Sequence, residues 1–181
     1  LGRGGSDYTA SIIGACIKAD HIDILTDVDG ILTADPRLIP TASLVKSLSF
    51  VEAAELAYFG AKVLHPKTIQ PAMARDIPVF VRNSGNPESN GTRIERMVLG
   101  DDRLKALAHK NGITVLNIYS NQMLGASGFL HRIFEIFARY RTSVDLLAST
   151  EVSISLTIDD EQFLDDIIIE LSRFSDVWVQ R

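Results

Sequence analysis

Thr26-Asp27-Val28-Asp29-Gly30-Ile31-Leu32-Thr33-Ala34-Asp35-Pro36-Arg37 is the stretch on which the reading of the first half of this chain turns. It continues His21-Ile22-Asp23-Ile24-Leu25, whose apolar-polar alternation predicts a strand that runs into a turn at Asp29-Gly30. Pro36 rejects helix and biases Asp35 towards an extended backbone, so Asp35-Pro36-Arg37 reads as a second turn. Three carboxylates, a hydroxyl and an arginine therefore follow one strand end within a dozen positions. Open α/β sheets bind ligands at the carboxyl ends of their strands, which gives such a cluster a use. A solvated, aspartate-rich loop has the same composition, and the stretch alone does not choose between the two.

Towards the N-terminus, residues 8–19 predict a helix with Ile12, Ile13, Cys16 and Ile17 on one side. Ser6 or Asp7 then stands at its start, where unpaired amides and the helix dipole attract an anion. The run Gly2-Arg3-Gly4-Gly5-Ser6-Asp7 precedes it. Glycines let a backbone come close to a ligand, and Arg3 offers a planar fork for a carboxylate. Asp7 is a candidate for orienting cationic groups or a metal-bound phosphate. An ordinary tight turn explains the glycines equally well.

Towards the C-terminus, Ser49-Phe50-Val51-Glu52 has the capping-box pattern and predicts a helix ending at Gly60, near Phe59. Pro66 opens another helix through about Arg75, and Pro78-Val79-Phe80-Val81-Arg82 reads as a short buried strand. Residues 83–91 are a polar loop by composition. Lys62, after Phe59-Gly60-Ala61, either reaches a phosphate as a point charge or snorkels into water. Helix and strand alternate to about residue 100, which predicts an α/β sheet domain.

Beyond Gly100-Asp101-Asp102 the rhythm changes. Residues 104–109 and 113–119 read as strands flanking the turn Lys110-Asn111-Gly112. Residues 128–140 carry Leu130, Ile133, Phe134 and Phe137 at helical spacing. Strands over 143–148 and 152–157, a helix over 161–172 and a strand at Val177-Trp178-Val179 complete a β-α-β-β-α-β order from residue 113.

The bulk properties narrow the function classes. Hydrophobic residues make up 46% of the 181, charged residues 23%, and the net charge is -5. Such a chain offers no basic field for nucleic acid or anionic lipid. No apolar stretch is long enough to span a bilayer and no signal peptide opens the sequence, so a reducing, cytoplasmic setting is expected. Cys16 is the single cysteine, has no internal disulfide partner, and is read as a buried thiol. Asn90-Gly91-Thr92 matches a glycosylation acceptor, but nothing else suggests secretion. Because Leu1 is followed at once by a glycine-rich motif, the expectation is a piece of a larger enzyme.

In combination these segments resemble the aspartate kinases of the amino-acid kinase family. The resemblance rests on Leu1 to Ala10, Leu25 to Arg37, Phe59-Gly60-Ala61-Lys62-Val63-Leu64-His65-Pro66, Ser143-Val144-Asp145 and Ser149-Thr150-Glu151-Val152-Ser153. It implies the C-terminal half of an amino-acid-kinase-like α/β sheet domain over 1–103. A βαββαβ ferredoxin-like ACT regulatory domain over 104–181 would follow. The implied reaction is transfer of the γ-phosphoryl group of ATP, with Mg2+, to the side-chain carboxylate of L-aspartate. Carried over position by position, Arg3, Gly4, Gly5 and Ser6 would hold aspartate, and Asp7 would be the catalytic aspartate. Thr26, Asp27, Leu32, Arg37, Lys62 and Val63 would line the nucleotide site. Position 32 is often tyrosine in the family; leucine still covers a ring face but lacks the hydroxyl.

That chemistry needs charge stabilisation and positioning more than a base, because a carboxylate is already ionised at pH 7. The family's Lys-Phe-Gly-Gly-Thr-Ser loop has no counterpart in these residues, so the 181-residue polypeptide is expected to be inactive alone. In the ACT-like part, Met123, Gly128, Phe129, Asp145, Ser149, Thr150 and Glu151 would surround an amino-acid effector, lysine first and threonine second. Core packing is the favoured reading for the Phe129 side chain. ACT units usually pair across a two-fold axis, which implies a homodimer. The alternative is a stand-alone amino-acid-sensing module whose kinase-like half is a scaffold.

Overall fold

Strand β1 (Ile22–Thr26) buries Ile22 and Ile24 and turns Asp23 and Leu25 outward. The computed structural model describes residues 5–60, 64–97 and 104–181, with Pro66 described by its backbone alone. Within them β1 lies parallel to β3 (Val79–Asn83), which pairs antiparallel with β4 (Thr92–Glu95). Strand β2 (Ser47–Ser49) closes the sheet beside β4, giving the order β1-β3-β4-β2. The expected α/β sheet is present, although β2 and β4 were not foreseen. At three and four residues they are too short for alternation to show.

One face of this sheet carries Ile22, Ile24, Leu48, Val79, Val81 and Ile94, all buried. Helix α2 (Phe50–Tyr58) packs there and forms as its sequence dictates. The Ser49 hydroxyl accepts from the Glu52 amide at 3.2 Å, and the Glu52 carboxylate accepts from the Ser49 amide at 2.6 Å. Caps of this kind are worth about 1 kcal/mol. The helix expected from Pro66 is a 3-10 turn over Pro66–Ile69 that continues as α3 (Gln70–Arg75).

Helix α1 (Gly5–Ile17) corrects the sequence reading. Its buried residues are Gly5, Ser11 and Gly14, whereas Ile12, Ile13 and Ile17 are exposed, Ile17 at 71%. Cys16, expected to be buried, is exposed as well. The cause is close packing, since a Cβ on Gly14 would stand 2.7 Å from the Ile22 side chain. The side of α1 that meets the strand admits only small residues, so the bulky ones face away.

The chain divides into two compact units, Leu1–Lys110 and Asn111–Arg181. Residues 104–110 form no strand, contrary to expectation. They run irregularly over the first unit, where the Leu107 amide donates to the Thr33 carbonyl at 2.9 Å.

The second unit has the expected β-α-β-β-α-β order: β5 (Thr114–Tyr119), α4 (Phe129–Arg139), β6 (Leu147–Ser149), β7 (Ser153–Ile158), α5 (Leu164–Leu171) and β8 (Asp176–Gln180). Its strands are all antiparallel in the order β6-β7-β5-β8. Leu116, Ile118, Ile154, Leu156 and Ile158 meet Ile133, Ile136, Phe137, Leu164, Ile167 and Leu171 in one core. Two expectations are corrected in detail. The strand over 143–148 shortens to Leu147–Ser149, and on α4 Leu130 and Phe134 are partly exposed while Ile136 takes the inward place. The loop leaving the helix carries Thr142 into the interior.

Candidate functional site

Parallel pairing of β1 and β3 sets Thr26 opposite Asn83, so the two carboxyl ends lie side by side. The loop after β3 is tied to the end of β1, because the Ser84 amide and hydroxyl both donate to the Thr26 carbonyl, at 2.9 and 3.1 Å. Asp29 is fixed just beyond: its Oδ1 accepts from Asn83 Nδ2 at 2.8 Å and from Asn86 Nδ2 at 3.2 Å. The Thr26 hydroxyl donates to Asp27 at 3.1 Å, and Asp27 is exposed.

Helix α1 brings a second group of candidates to the same end. It leads into β1 through a short turn and packs on its start, so helix and strand run in opposite directions. Thirteen helical residues span roughly 20 Å and five strand residues roughly 16 Å, so the first turn of α1 lies near the carboxyl end of β1. That turn holds Gly5, Ser6 and Asp7, with the Ser6 hydroxyl donating to Asp7 at 3.1 Å. Arg3 and Gly4, read as substrate-binding, and Lys62 and Val63, read as nucleotide-binding, lie outside the described residues.

The loop from Val28 to Val45 folds back as an irregular hairpin, with Leu32 bridging to Leu44. Its anchor is Thr92, wholly buried on β4. The Thr92 hydroxyl accepts from the Ile31 amide at 2.8 Å and donates to the Val45 carbonyl at 2.7 Å. One side chain thus satisfies both arms of the loop away from water. At the tip, Arg37 forms a two-point ion pair with Asp35, Nε to Oδ1 at 3.0 Å and a terminal nitrogen to Oδ2 at 2.6 Å. The Arg37 side chain is nevertheless 77% exposed, so its outer donors face solvent. Its hydrogen bonds hold the Asp35 carboxyl at about 2, well below the usual value, and Asp35 in turn raises the Arg37 guanidinium.

Between this loop and α2 lies a cavity of about 240 Å3. Ile31, Leu32, Leu56 and Leu107 give it apolar walls, while Asp35, Arg37 and His109 stand among its lining residues. Such a space suits one flat ring system beside a polar rim. Leu32 and Arg37 are thereby brought to one cavity, whereas Thr26 and Asp27 belong to the strand-end cluster. Among the described residues no three His, Cys, Asp or Glu side chains gather to hold a metal ion.

The second unit has its own concavity, a more open groove of about 570 Å3 lined by Met123, Ala126, Gly128, Phe129, Leu130, Ser149, Thr150 and Glu151. Six of the seven effector positions read from the sequence are in that lining. Asp145 is not; it is half-buried, with its amide donating to the Thr157 carbonyl at 2.9 Å. Gly128 begins α4 with a φ of 88° and no side-chain cap, so the first-turn amides are left for a ligand. Thr150 shapes the opposite wall, its hydroxyl accepting from the Ser153 amide at 3.1 Å. Phe129 also packs edge-on against Phe174 at 5.5 Å, as core packing requires. The groove therefore offers amide donors at one wall and the Glu151 carboxylate at another, a pairing suited to a zwitterion.

Sequence reasoning placed Asp29 and Asp35 in the carboxylate cluster without giving either a role, and missed Asn83, Asn86, Thr92, Ala126 and Leu130. For Asp35 a signal existed, because an Asp-Pro-Arg turn places acid and base two residues apart. Asn83 and Asn86 carried none, since their role depends on which strands pair.

The model of the amino acid kinase family matches residues 1–83. The chain is 43% identical over 188 residues to lysine-sensitive aspartokinase 3 of Escherichia coli, covering 99% of this chain and 42% of that protein. It thus spans about two fifths of that relative's length. The structure of E. coli aspartokinase III with lysine and aspartate superposes with a TM-score of 0.82 at 44% identity, over 99% of this chain and 42% of that one. For the same enzyme with aspartate and ADP, the TM-score is 0.85 at 43% identity, with the same coverage.

Proposed function

Because the chain belongs to the amino acid kinase family and aligns with aspartokinases along nearly its whole length, we propose that it is the nucleotide-binding and regulatory part of an aspartate kinase. The reaction is transfer of the γ-phosphoryl group of ATP to the side-chain carboxylate of L-aspartate, which commits the product to lysine, threonine and methionine synthesis. One observation carries this reading: the hairpin held by Thr92 presents Leu32 and the Asp35–Arg37 pair to a single apolar cavity. Leu32 covers a face of the adenine, and the solvent-facing donors of Arg37 meet the phosphates. Thr26 and Asp27 lie along the same nucleotide, with Lys62 and Val63 completing its site. Gly5 and Ser6 hold aspartate with Arg3 and Gly4, and Asp7 organises the phosphate-binding groups at the start of α1.

Magnesium bound to ATP would supply charge neutralisation between the phosphates, which otherwise repel the attacking carboxylate. The hydroxyl and carboxylate oxygens of Thr26, Asp27 and Asp29 are hard donors of the kind such a cation and its waters accept. These 181 residues contain no Lys-Phe-Gly-Gly-Thr-Ser loop, so the polypeptide by itself binds nucleotide without turning over.

In the second unit the groove senses an amino acid. The α4 amides take its carboxylate and Glu151 takes an ammonium; the likeness to a lysine-sensitive aspartokinase supports lysine ahead of threonine. Asp145 contributes its charge from beside the groove. Copies pair through this unit, and the half-exposed Trp178 on edge strand β8 is consistent with a covered surface in the dimer. A cytoplasmic setting belongs to the same reading; no helix among the described residues is long and apolar enough to cross a membrane.

Calorimetric titration of the 181-residue chain tests the proposal directly. Magnesium-ATP and lysine are each expected to bind, with lysine ahead of threonine. Effector binding without nucleotide binding would instead favour an amino-acid sensor on a kinase-like scaffold. A hydroxamate assay for aspartyl phosphate should show no turnover by this polypeptide.

A further inference from the structure

Residues 104–110 have no regular structure, yet they are held to the first unit at several points. Lys105 Nζ, only 9% exposed in its side chain, meets the Glu52 carboxylate at 3.1 Å. Glu52 is already the capping-box residue of α2. Burial pushes its carboxyl up, but the bonds from Ser49 and Lys105 outweigh that and leave it below its ordinary value. The Leu107 amide donates to the Thr33 carbonyl, which extends the hairpin by one bonded segment. The His109 carbonyl presses against Gly60, whose φ is 127°: a Cβ there would stand 2.1 Å from that oxygen. Gly60 follows α2 and leads directly into residues 61–63, so the segment is fastened to the capped start of α2, to the hairpin and to the turn after α2.

Leu107, Ala108 and His109 also line the cavity of about 240 Å3, together with Leu32, Leu56 and Arg37. They supply a wall that neither the hairpin nor α2 provides. Resting on the nucleotide reading above, we infer that residues 107–109 are a base-recognition wall of the nucleotide site. In this role Leu107 is a specificity-determining residue, and Lys105 positions it through Glu52. The wall acts on the flat ring through Leu107 and Ala108, which give the cavity apolar side chains, while His109 stands with Asp35 and Arg37 among its polar lining residues. The same seven residues lead covalently into the second unit at Asn111. Displacing this segment therefore alters how tightly the base is held, while leaving the strand-end cluster around Thr26 and Asp29 intact.

The experiment compares two probes, ATP and inorganic tripolyphosphate, each with magnesium, on the 181-residue chain and on Leu107→Trp, Leu107→Ala and Lys105→Met. Circular dichroism confirms that each variant retains its fold. Leu107→Trp fills the cavity, and its affinity for ATP is expected to fall about tenfold with tripolyphosphate binding unchanged. Leu107→Ala and Lys105→Met should weaken ATP a few-fold, in the same selective manner. Unchanged ATP binding in Leu107→Trp overturns the inference, as does an equal loss for both probes, which marks a general effect on the fold. If the unaltered chain binds ATP no better than tripolyphosphate, the cavity does not hold a base, and the nucleotide reading fails with the inference. A preference lost only in the variants upholds both.

Discussion

The cavity beside Leu32 and the groove beside Phe129 are built on opposite plans. The first is small, about 240 Å3, and its walls come from a hairpin, a helix and an irregular segment fastened by individual polar bonds. The second is wide and open, about 570 Å3, and sits on a regular antiparallel sheet whose helices share one apolar core. On the proposed nucleotide reading the first must hold a flat ring, which needs closely fixed walls, and buried hydrogen bonds provide that geometry. On the same reading the second must present amides and a carboxylate to a flexible amino acid from stable elements, and packing suffices for that.

The difference can be probed by removing what each region depends on. In the second unit Phe137, 2% exposed, is the largest side chain of the core. Phe137→Ala should lose about 4 kcal/mol. Urea unfolding followed by the fluorescence of Trp178, the single tryptophan of the chain, reads that loss. In the first unit the matching change is Thr92→Val, which keeps the shape and deletes only the hydroxyl. The Ile31 amide and Val45 carbonyl then lose their partner inside the protein, at a cost of about 3 kcal/mol. Thr92→Ser should be far milder when both are unfolded in urea and followed by circular dichroism. If Thr92→Val proves harmless, the polar anchoring of the hairpin is wrong and the contrast between the two regions fails.

A smaller effect is expected at the start of α2. Ser49→Ala removes half of the capping box and should cost about 1 kcal/mol in the same titration. The smallest concerns acid. The Asp35 carboxyl is held at about 2 against an ordinary 3.8 by its bonds from Arg37. A depressed folded value stabilises above the unfolded value and is lost as the pH falls, here between about 4 and 2. Asp35→Asn should flatten stability across that interval and free Arg37, which chemical-shift titration of the guanidinium would register.

The second unit was legible because its elements obey their periods. β5 and β7 alternate buried and half-buried residues along their whole length, and α5 buries Leu164, Ile167 and Leu171 at helical spacing. The first unit was legible only where chemistry is local. The Ser49–Glu52 cap and the turn at Asp35-Pro36-Arg37 depend on neighbours in sequence and appear as read. Helix α1 was misread because its inward side was chosen by clearance against Ile22, which favours glycine and serine over isoleucine. The site was half visible for a related reason. Leu32 and Arg37 share a loop, but Asn83 and Asn86 reach Asp29 across more than fifty residues, through a strand pairing that no local pattern announces.

The close approach at Gly60 bears on how this chain can change over generations. Most codons around the Leu32 cavity specify apolar side chains, and a lineage can exchange these stepwise, each substitution altering the shape of the space. Codon 60 has no such neighbours in sequence space: any replacement adds a carbon where the oxygen of residue 109 already stands, on a backbone that L-amino acids rarely adopt. The walls are thus free to drift while the close approach at residue 60 stays fixed.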